Sequence, residues 1–292
     1  MGLLDSFKKA LSGGKVDVQK RFEFLREAIS GTMSSFNMVR DRQTGEIVGL
    51  KILDKEKTAA FEERLRGLKR PPEGEIATAI AHPRIVKTLE YGITTRGEQF
   101  LVMEFIGGPG LNSLLIARSP LMEGKRLTLT RQAAEAVAAV HKAGYIHRDI
   151  CPRNLMATTA EVTELKLIDF GLTLPATKEF MQPGNRTGTP NYMAPEIVKR
   201  QGTDQRVDIF SFGVTAYEMF TYDLPWERGV TGQAAMQHAN FEPKDIARAR
   251  PTIHPTLGKA IMKCIARNPV DRFASMDDFL KSIKGVEQDD AS

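Results

Sequence analysis

The stretch HRDICPRN, residues 147–154, decides how this chain is interpreted, because it gathers charged and polar side chains in one short segment. A helical pattern ends at Gly144 just before it, and a proline lies inside it, so the segment is expected to be a loop. Asp149 and Asn154 lie five residues apart in this loop, with Cys151 between them. The segment has the outline of a catalytic loop that contains one unexpected residue.

Composition limits the class of protein. At 292 residues and 41% hydrophobic content, the chain is able to bury one large core or two modest ones. Its 41 basic and 36 acidic residues are interleaved and give a formal charge of +5, which indicates a solvated surface and argues against a nucleic-acid partner. The two cysteines lack neighbours at zinc-ligand spacing, so we expect a reduced, cytoplasmic protein without a disulfide framework.

The two ends of the chain are interpreted as tails. The opening MGLLDSFKKAL places apolar residues at helical spacing and fits a myristoylation pattern. We favour a short amphipathic helix within residues 1–21 that packs on the domain or frays, and the alternative is peripheral membrane contact through residues 1–14. No apolar run approaches the roughly 20 residues that span a bilayer. GVEQDDAS, residues 285–292, is expected to be a solvated acidic tail.

Between the tails, strand patterns come first and helical patterns follow. Three stretches are typical of strands, the second being split by a Thr-Gly turn: RFEFLREAI, SFNMVRDRQTGEIVGLKIL and EQFLVMEF. Pro71 and Pro72 interrupt a segment of helical composition, which predicts one helix near 57–69 and a second whose first turn holds Pro72 and Glu73. RVDIFSFGVTAYEMF is apolar on nearly every side and predicts a buried helix.

Four motifs occur in a fixed order along the chain: VGLK (48–51), HRDICPRN (147–154), DFG (169–171) and GTPNYMAPE (188–196). Each is weak alone, but together they resemble the protein kinases, and the resemblance covers residues 22 to about 283. It implies an α+β fold in a single kinase domain, residues 22–284. The domain would have a strand-rich N-lobe at about 22–104, a helical C-lobe at about 107–284, and an ATP cleft between them.

The resemblance assigns roles to the motif residues. Phosphoryl transfer needs positioning, metal ions and charge neutralisation more than covalent chemistry from the protein. Asp149 should accept or orient the proton of the attacking hydroxyl, and Asn154 with Asp169 should hold Mg²⁺ through oxygen atoms. Lys51 should reach the α and β phosphates of ATP.

Further residues are implied around the nucleotide. Glu73 is the expected partner of Lys51, and Glu75 is the alternative, because the prolines obscure the geometry of their helix. The adenine should contact the backbone of Glu104 and Ile106 in the segment that links the lobes. The expected walls of the base site are Phe36, Gly49, Met103 and Met156.

Two structural pairings are also expected. Asp208 lies in an otherwise apolar helix segment, and a buried carboxylate needs hydrogen-bond donors or an ion-pair partner. The resemblance implies that it anchors the backbone of the catalytic loop. It also implies that Glu196 of the APE sequence pairs with Arg272.

The chain departs from the family in the loop that covers the phosphates. Where the family has G-x-G-x-x-G, this chain has ISGTMS, residues 29–34, so only Gly31 remains. Ile29 and Ser34 carry a β-carbon, which limits the close approach of backbone to phosphate. We expect weaker or altered nucleotide binding as a result.

The second departure is Cys151, which replaces a lysine that stabilises the transferred phosphate in Ser/Thr kinases. Arg153 precedes Asn154, as in tyrosine kinases, and would supply the missing cation. Nearby Arg148 and Arg153 would favour a reactive thiolate at Cys151. A packed, inert thiol is the favoured interpretation, because cysteine is often simply buried.

The segment GTPNYMAPE resembles the Ser/Thr form, with Thr189 beside the catalytic aspartate. The hypothesis is an ATP- and Mg²⁺-dependent protein kinase acting on Ser/Thr hydroxyls, similar to small bacterial kinases. The alternatives are a pseudokinase that binds nucleotides or partners, and a small-molecule phosphotransferase. Substrate and oligomeric state stay open.

Asn185 occupies the usual acceptor position for activating phosphorylation, which leaves three candidates: Thr173, Thr177 and Thr187.

Overall fold

The structure is a computed structural model that describes residues 14–26, 29–31, 33–65, 67–184, 186–229 and 232–290. The chain divides into two compact units. The first comprises the residues up to 82 together with 86–106, and the second comprises 83–85 together with the residues from 107 onward. The first unit is built on a β-sheet and the second is mainly helical, which confirms the predicted α+β class.

Among its described residues, the first unit contains an antiparallel sheet and three short helices. Its strands follow the order β1-β3-β4-β6-β5, and β2 pairs with β3. The predicted turn between β3 and β4 is confirmed, and Gly45 there has a φ of +76° that favours glycine. The elements are α1 Val18–Arg21, β1 Phe22–Phe24, β2 Ile29–Ser30, β3 Ser34–Asp41, β4 Ile47–Leu53, α2 Lys55–Glu63, α3 Glu73–Ala79, β5 Thr88–Ile93 and β6 Gln99–Glu104.

The alternation of side chains along the strands divides this sheet into two faces. One face is apolar and packs against Val18 and Phe22; it consists of Val39, Val48, Leu50, Phe100 and Val102. On the register of β3, β4 and β6, the residues between these positions lie on the opposite face. That second face carries Phe36, Gly49, Lys51 and Met103.

The two predicted helices around the prolines are shifted. The first begins at Lys55, because the Asp54 carboxylate caps it by accepting hydrogen bonds of 3.0 Å from the N–H groups of Glu56 and Lys57. It ends at Glu63, well before the predicted end. The second begins at Glu73, and Pro72 precedes it in an extended conformation, so the prediction that Pro72 lies in its first turn is wrong.

The second unit contains a long buried helix, α7. Every residue from Val207 to Phe220 in it is buried, which confirms the predicted buried helix. The helices are α4 Leu111–Ile116, α5 Arg126–Lys142, α6 Pro195–Val198, α7 Arg206–Thr221, α8 Gly232–Asn240, α9 Ile246–Ala249, α10 Pro255–Cys264 and α11 Met276–Ser282. The short strands are β7 Tyr145–Ile146, β8 Leu155–Ala157, β9 Leu165–Leu167 and β10 Leu174–Pro175.

The C-terminal segment is part of the second unit, and its interpretation as a solvated tail is wrong up to Asp290. The Asp289 carboxylate accepts hydrogen bonds from the N–H groups of Arg126 (3.2 Å) and Leu127 (2.8 Å), so it caps the first turn of α5. Asp290 forms a 2.7 Å ion pair with Arg250. The acidic residues have partners that lie far away in sequence, which a local charge pattern does not show.

The N-terminal prediction is only partly covered. Residues 1–13 lie outside the described residues, so the amphipathic helix and the membrane contact stay predictions. Within the described range, Val18–Arg21 form one helical turn, and Arg21 bridges Asp41 (2.8 Å) and Glu90 (2.7 Å). In the part of the chain that the structure describes, no helix is both long and apolar enough to cross a membrane.

The cap on α5 gives a stability prediction. Asp289→Ala removes the acceptor of two N–H groups and leaves the buried guanidinium of Arg126 without this carboxylate, so the free energy of unfolding should fall by about 2–4 kcal/mol. Urea unfolding measures this change. Glu287→Ala, an exposed acid two residues away, is the control and should stay within about 0.5 kcal/mol of the wild type. Equal, small effects of both substitutions would contradict the cap.

Candidate active site

The first unit holds a buried ion pair on the second face of its sheet. Lys51 on β4 places its Nζ 2.5 Å from Oε1 of Glu73, in the first turn of α3. The side chains are 8% and 2% exposed, whereas Glu75 is exposed. The N-terminus of a helix is a favourable place for a carboxylate, and Glu73 lies in the first turn of α3. Of the two acids considered, the structure pairs Glu73 with Lys51.

In the second unit, donors fix the carboxylate of Asp149 from two sides. Nδ2 of Asn154 donates to the Asp149 carbonyl oxygen (2.7 Å) and to Oδ2 (2.9 Å). Thr189 donates to Oδ1 through its hydroxyl (2.7 Å) and its backbone N–H (2.9 Å). Each carboxylate oxygen therefore has a donor, and the half-buried group is held in one orientation.

The buried carboxylate of Asp208 anchors the start of the same loop. It accepts hydrogen bonds of 2.7 Å from the N–H groups of His147 and Arg148, which confirms the expected anchoring of the loop backbone. Nε2 of His141 lies 2.9 Å away. Burial raises the pKa of Asp208, but the hydrogen bond with His141, the electrostatic interactions with His141 and His147, and the N–H of Arg148 together keep that pKa below its usual range.

Sequence reasoning missed His141 as a partner. Its position was the available signal: His141 lies four residues after the buried Val137, and residues at this spacing share one face of a helix. A histidine on an apolar helix face needs a polar partner, and the buried aspartate of α7 is one.

The DFG segment is joined to the loop by packing and by a backbone bond. The ring of Phe170 is 1% exposed and meets the ring of His147 edge to face, with centroids 5.4 Å apart. The N–H of Ile168 donates to the carbonyl of Asn154 at 2.8 Å. Asp169 has a φ of +75°, a conformation that is costly for a residue with a side chain. These contacts hold the strained residue next to Asn154.

The oxygen atoms near this junction fit a divalent cation. Nδ2 of Asn154 is engaged by Asp149, which leaves its amide oxygen as the acceptor atom. Oδ1 of Asp169 accepts a 2.8 Å hydrogen bond from the N–H of Gly171, and a carboxylate retains further acceptor positions. One carboxylate and one amide oxygen are donors that Mg²⁺ accepts, together with phosphate and water.

The residues predicted around the base are found in different elements. Phe36, Gly49 and Met103 share the second face of the sheet in the first unit. Glu104 ends β6, and its carboxylate accepts a 2.7 Å hydrogen bond from the N–H of Lys87. Ile106 follows β6 in irregular backbone.

Two other predicted site residues belong to other segments of the chain. Gly31 lies in the turn between β2 and β3, where its N–H donates to the carbonyl of Ser34 at 2.8 Å. Met156 is on β8 in the second unit.

The segment 188–196 is fixed to the body of the second unit. Gly188 has a φ of +129°, and a β-carbon there would come within 2.8 Å of the carbonyl oxygen of Arg148, so only glycine fits. The predicted ion pair of Glu196 with Arg272 is confirmed, with two contacts of 2.7 and 2.8 Å. Thr189 therefore contacts Asp149 from a segment that is held at both ends.

Comparisons of the sequence with protein families and with curated proteins agree with this geometry. Residues 22–282 match the protein kinase domain family. This chain belongs to the protein kinase family. It is similar to the serine/threonine-protein kinases pkn3 (30% identical, 92% of this chain and 50% of the relative) and pkn2 (32%, 82% and 29%) of Myxococcus xanthus. It is also similar to serine/threonine-protein kinase PkaA of Streptomyces coelicolor (33%, 79% and 41%). The chain spans half or less of the length of these curated relatives.

Within this kinase domain, Cys151 is a packed thiol. It is 0% exposed, and burial, with a contribution from Asp149, raises its pKa to about 12. Its Sγ lies 3.8 Å from the hydroxyl of Thr189. A thiol in this environment stays protonated near neutral pH, which argues against a reactive thiolate at Cys151.

The three candidate phosphorylation sites of the kinase differ in access. Thr173 is 0% exposed and donates to the carbonyl of His147 at 3.4 Å. Thr187 is 6% exposed, and Thr177 is exposed. Asn185 lies outside the described residues. Thr177 is therefore the exposed residue among the three candidates.

Proposed function

We propose that this chain is a protein kinase that transfers the γ-phosphoryl group of ATP to Ser or Thr hydroxyls of proteins, with Mg²⁺ as cofactor. The observation that carries the proposal is the carboxylate of Asp149, held by Asn154 on one side and by Thr189 on the other. A general base must be oriented and within hydrogen-bond reach of the proton that it accepts. A carboxylate fixed in this way suits an incoming substrate hydroxyl.

The remaining motif residues have other roles in the proposed reaction. Bound Mg²⁺ and ATP supply the phosphoryl group and the neutralisation of its charge. Asn154 and Asp169 would hold the metal through their oxygen atoms. Lys51 would bind the nucleotide phosphates, and Glu73 keeps the ammonium group in place through the 2.5 Å contact.

The substrate class is proposed from the segment 188–196. Its sequence resembles the Ser/Thr form, and its Thr189 donates to the carboxylate of Asp149. The three relatives are named serine/threonine-protein kinases. The segment resembles one that forms a peptide groove, which disfavours the small-molecule phosphotransferase. The cytoplasmic location and the lack of a nucleic-acid partner stay predictions from composition.

The pseudokinase is the rival function. It rests on the lost glycines of residues 29–34 and on Cys151. The retained set of Lys51, Asp149, Asn154 and Asp169 favours the enzyme, because a module without catalysis has no need of an oriented base. The geometry around Asp149 therefore supports catalysis.

The deciding experiment is transfer from labelled ATP to a generic basic protein in the presence of Mg²⁺. Asp149→Asn should lower turnover at least about 100-fold, since general-base catalysis contributes about 10²–10⁴-fold. Asp271→Asn, an exposed aspartate, is the matched control and should keep full activity. No transfer by the wild type would sink the kinase proposal, and Mg²⁺-dependent nucleotide binding without transfer would favour the pseudokinase.

A second experiment tests Arg153 as the replacement for the missing lysine. Arg153 is exposed on the helical turn that ends at Asn154, and its charge is permanent. Arg153→Ala should lower turnover about 10- to 100-fold at saturating ATP, because it removes a cation that stabilises the transferred phosphate. Cys151→Ala, a change at a buried neutral group, should cost less than about 3-fold, and Arg153→Lys should retain most of the activity. Equal small effects of Arg153→Ala and Cys151→Ala would refute the role.

A further inference from the structure

A buried carboxylate of α7 has no role in the mechanism proposed above. Glu218 is 6% exposed at its side chain. Its Oε2 accepts a 2.5 Å hydrogen bond from the hydroxyl of Tyr192, and its Oε1 accepts a 2.7 Å hydrogen bond from the guanidinium of Arg228. A buried charge needs partners of this kind. The three residues are called the Glu218 cluster below.

The Glu218 cluster is attached to the segment that contacts Asp149. Tyr192 follows Thr189 by three residues, and its N–H donates to the carbonyl of Thr189 at 3.0 Å. The carbonyl of Tyr192 accepts a 2.7 Å hydrogen bond from the hydroxyl of Ser211 on α7. Tyr192 is thus fixed at its backbone and at its hydroxyl. The cluster therefore lies beside the segment that holds the proposed general base.

Arg228 is the exposed member of the Glu218 cluster. Its side chain is 56% exposed. A guanidinium has five N–H donors in one plane, and the hydrogen bond to Glu218 uses one of them. Because Glu218 already holds the group in place, a second carboxylate that binds it has less side-chain freedom to restrict. Arg228 is therefore suited to bind an anion at the surface.

The exposed charge that follows the segment 188–196 is positive. Glu196 is buried and paired with Arg272, so it does not offer its charge to a ligand. Lys199 and Arg200, directly after α6, are both exposed. This arrangement favours an acidic partner over a basic one.

The acids near Arg228 in sequence do not reverse this preference. The carboxylate of Asp223 lies 3.6 Å from the ammonium group of Lys244, and Glu227 is exposed to solvent. Glu218 is occupied by Arg228. A substrate arginine would thus find this buried carboxylate already paired, whereas a substrate carboxylate would find a guanidinium at the surface.

We propose that Arg228, held by Glu218, is a specificity-determining residue that selects protein substrates with an acidic residue near the phosphorylated Ser or Thr. This inference rests on the proposed function and names the substrate class of the same site. Arg228 donates to the substrate carboxylate and also prevents Glu218 from attracting a substrate cation. Both effects favour acidic substrates, so loss of Arg228 reverses the preference.

The reversal is measured as kcat/KM for serine peptides that carry Glu, Ala or Arg at each position beside the serine in turn. At one or more positions, the wild type should prefer Glu over Ala by about 5-fold, the upper range for an exposed ion pair. Arg228→Ala should lose this preference. It should instead prefer Arg over Ala by about 3-fold, because it uncovers Oε1 of Glu218.

Further variants separate selection from structural damage. The double variant Arg228→Ala/Glu218→Gln removes both charges and should distinguish the Glu and Arg peptides by less than about 2-fold. Arg228→Lys keeps the cation and should keep the preference for Glu. Arg248→Ala removes an exposed cation from α9 and is the matched control, which should behave as the wild type. A loss of preference in Arg248→Ala equal to that in Arg228→Ala would overturn the proposal.

The division between KM and kcat identifies the kind of role. Selection acts on binding of the charged peptides, so their KM should change while kcat for the Ala peptide stays within about 2-fold in Arg228→Ala. A fall of kcat/KM by one common factor for all peptides would show a structural role only and would overturn the proposal.

Failure of this inference differs from failure of the proposed function. A wild type that phosphorylates the peptides but treats Glu and Arg alike, or prefers Arg, would refute the role of Arg228 and leave the kinase proposal intact. Absence of transfer to the peptides and to a generic protein alike would refute the proposed function, and this inference with it.

Discussion

The hydrogen bonds from the N–H groups of His147 and Arg148 to the buried carboxylate of Asp208 are the interaction on which the segment 147–154 depends. The carboxylate belongs to α7, in which every residue from Val207 to Phe220 is buried, and it accepts hydrogen bonds from the N–H groups of two successive loop residues, His147 and Arg148. A buried charge is tolerated only when it is hydrogen-bonded. The loop supplies the N–H donors that the carboxylate of α7 needs, and the carboxylate holds the loop backbone in place. Asp149 follows directly in the chain. The position of the Asp149 carboxylate is therefore set by α7, and its orientation is set by hydrogen bonds from Asn154 and Thr189.

The first unit depends on a different constraint, which is that side chains along each strand point alternately to the two faces of the sheet. One face of the sheet buries an apolar core, and the same periodicity places Lys51, Phe36 and Gly49 together on the other face. A shift of one residue in register would exchange the two faces. The core therefore fixes the position of Lys51, and Glu73 from α3 forms an ion pair with its ammonium group.

Much of the fold was predictable from local pattern. The helix α7 and the strands around the Thr44–Gly45 turn were found because their periodicity is strong. β5 was missed, since TLEYGI mixes polar residues and a glycine in a half-buried edge strand. The C-terminal segment was misjudged, because the partners of Asp289 and Asp290 are distant in sequence. Such partners become visible only when the chain is folded.

In the candidate site too, some features were predictable from local sequence and others depend on contacts between distant segments. The motifs located Asp149, Asn154 and Asp169, because their spacing within short segments limits where they can lie. The choice between Glu73 and Glu75 depended on the phase of α3, which the prolines set and periodicity does not reveal. Phe36 and Gly49 share a face because neighbouring strands pair in one register. The residue types alone do not provide that register.

The most direct test of this account is the steady-state kinetics of Asp208→Asn. The amide offers one acceptor oxygen where the carboxylate serves three donors, so the loop should lose its fixed position. Turnover should fall at least about 10-fold, while the Kd for ATP stays within about 3-fold of the wild type. Unchanged turnover in a variant that remains folded would contradict the dependence of the catalytic loop on Asp208.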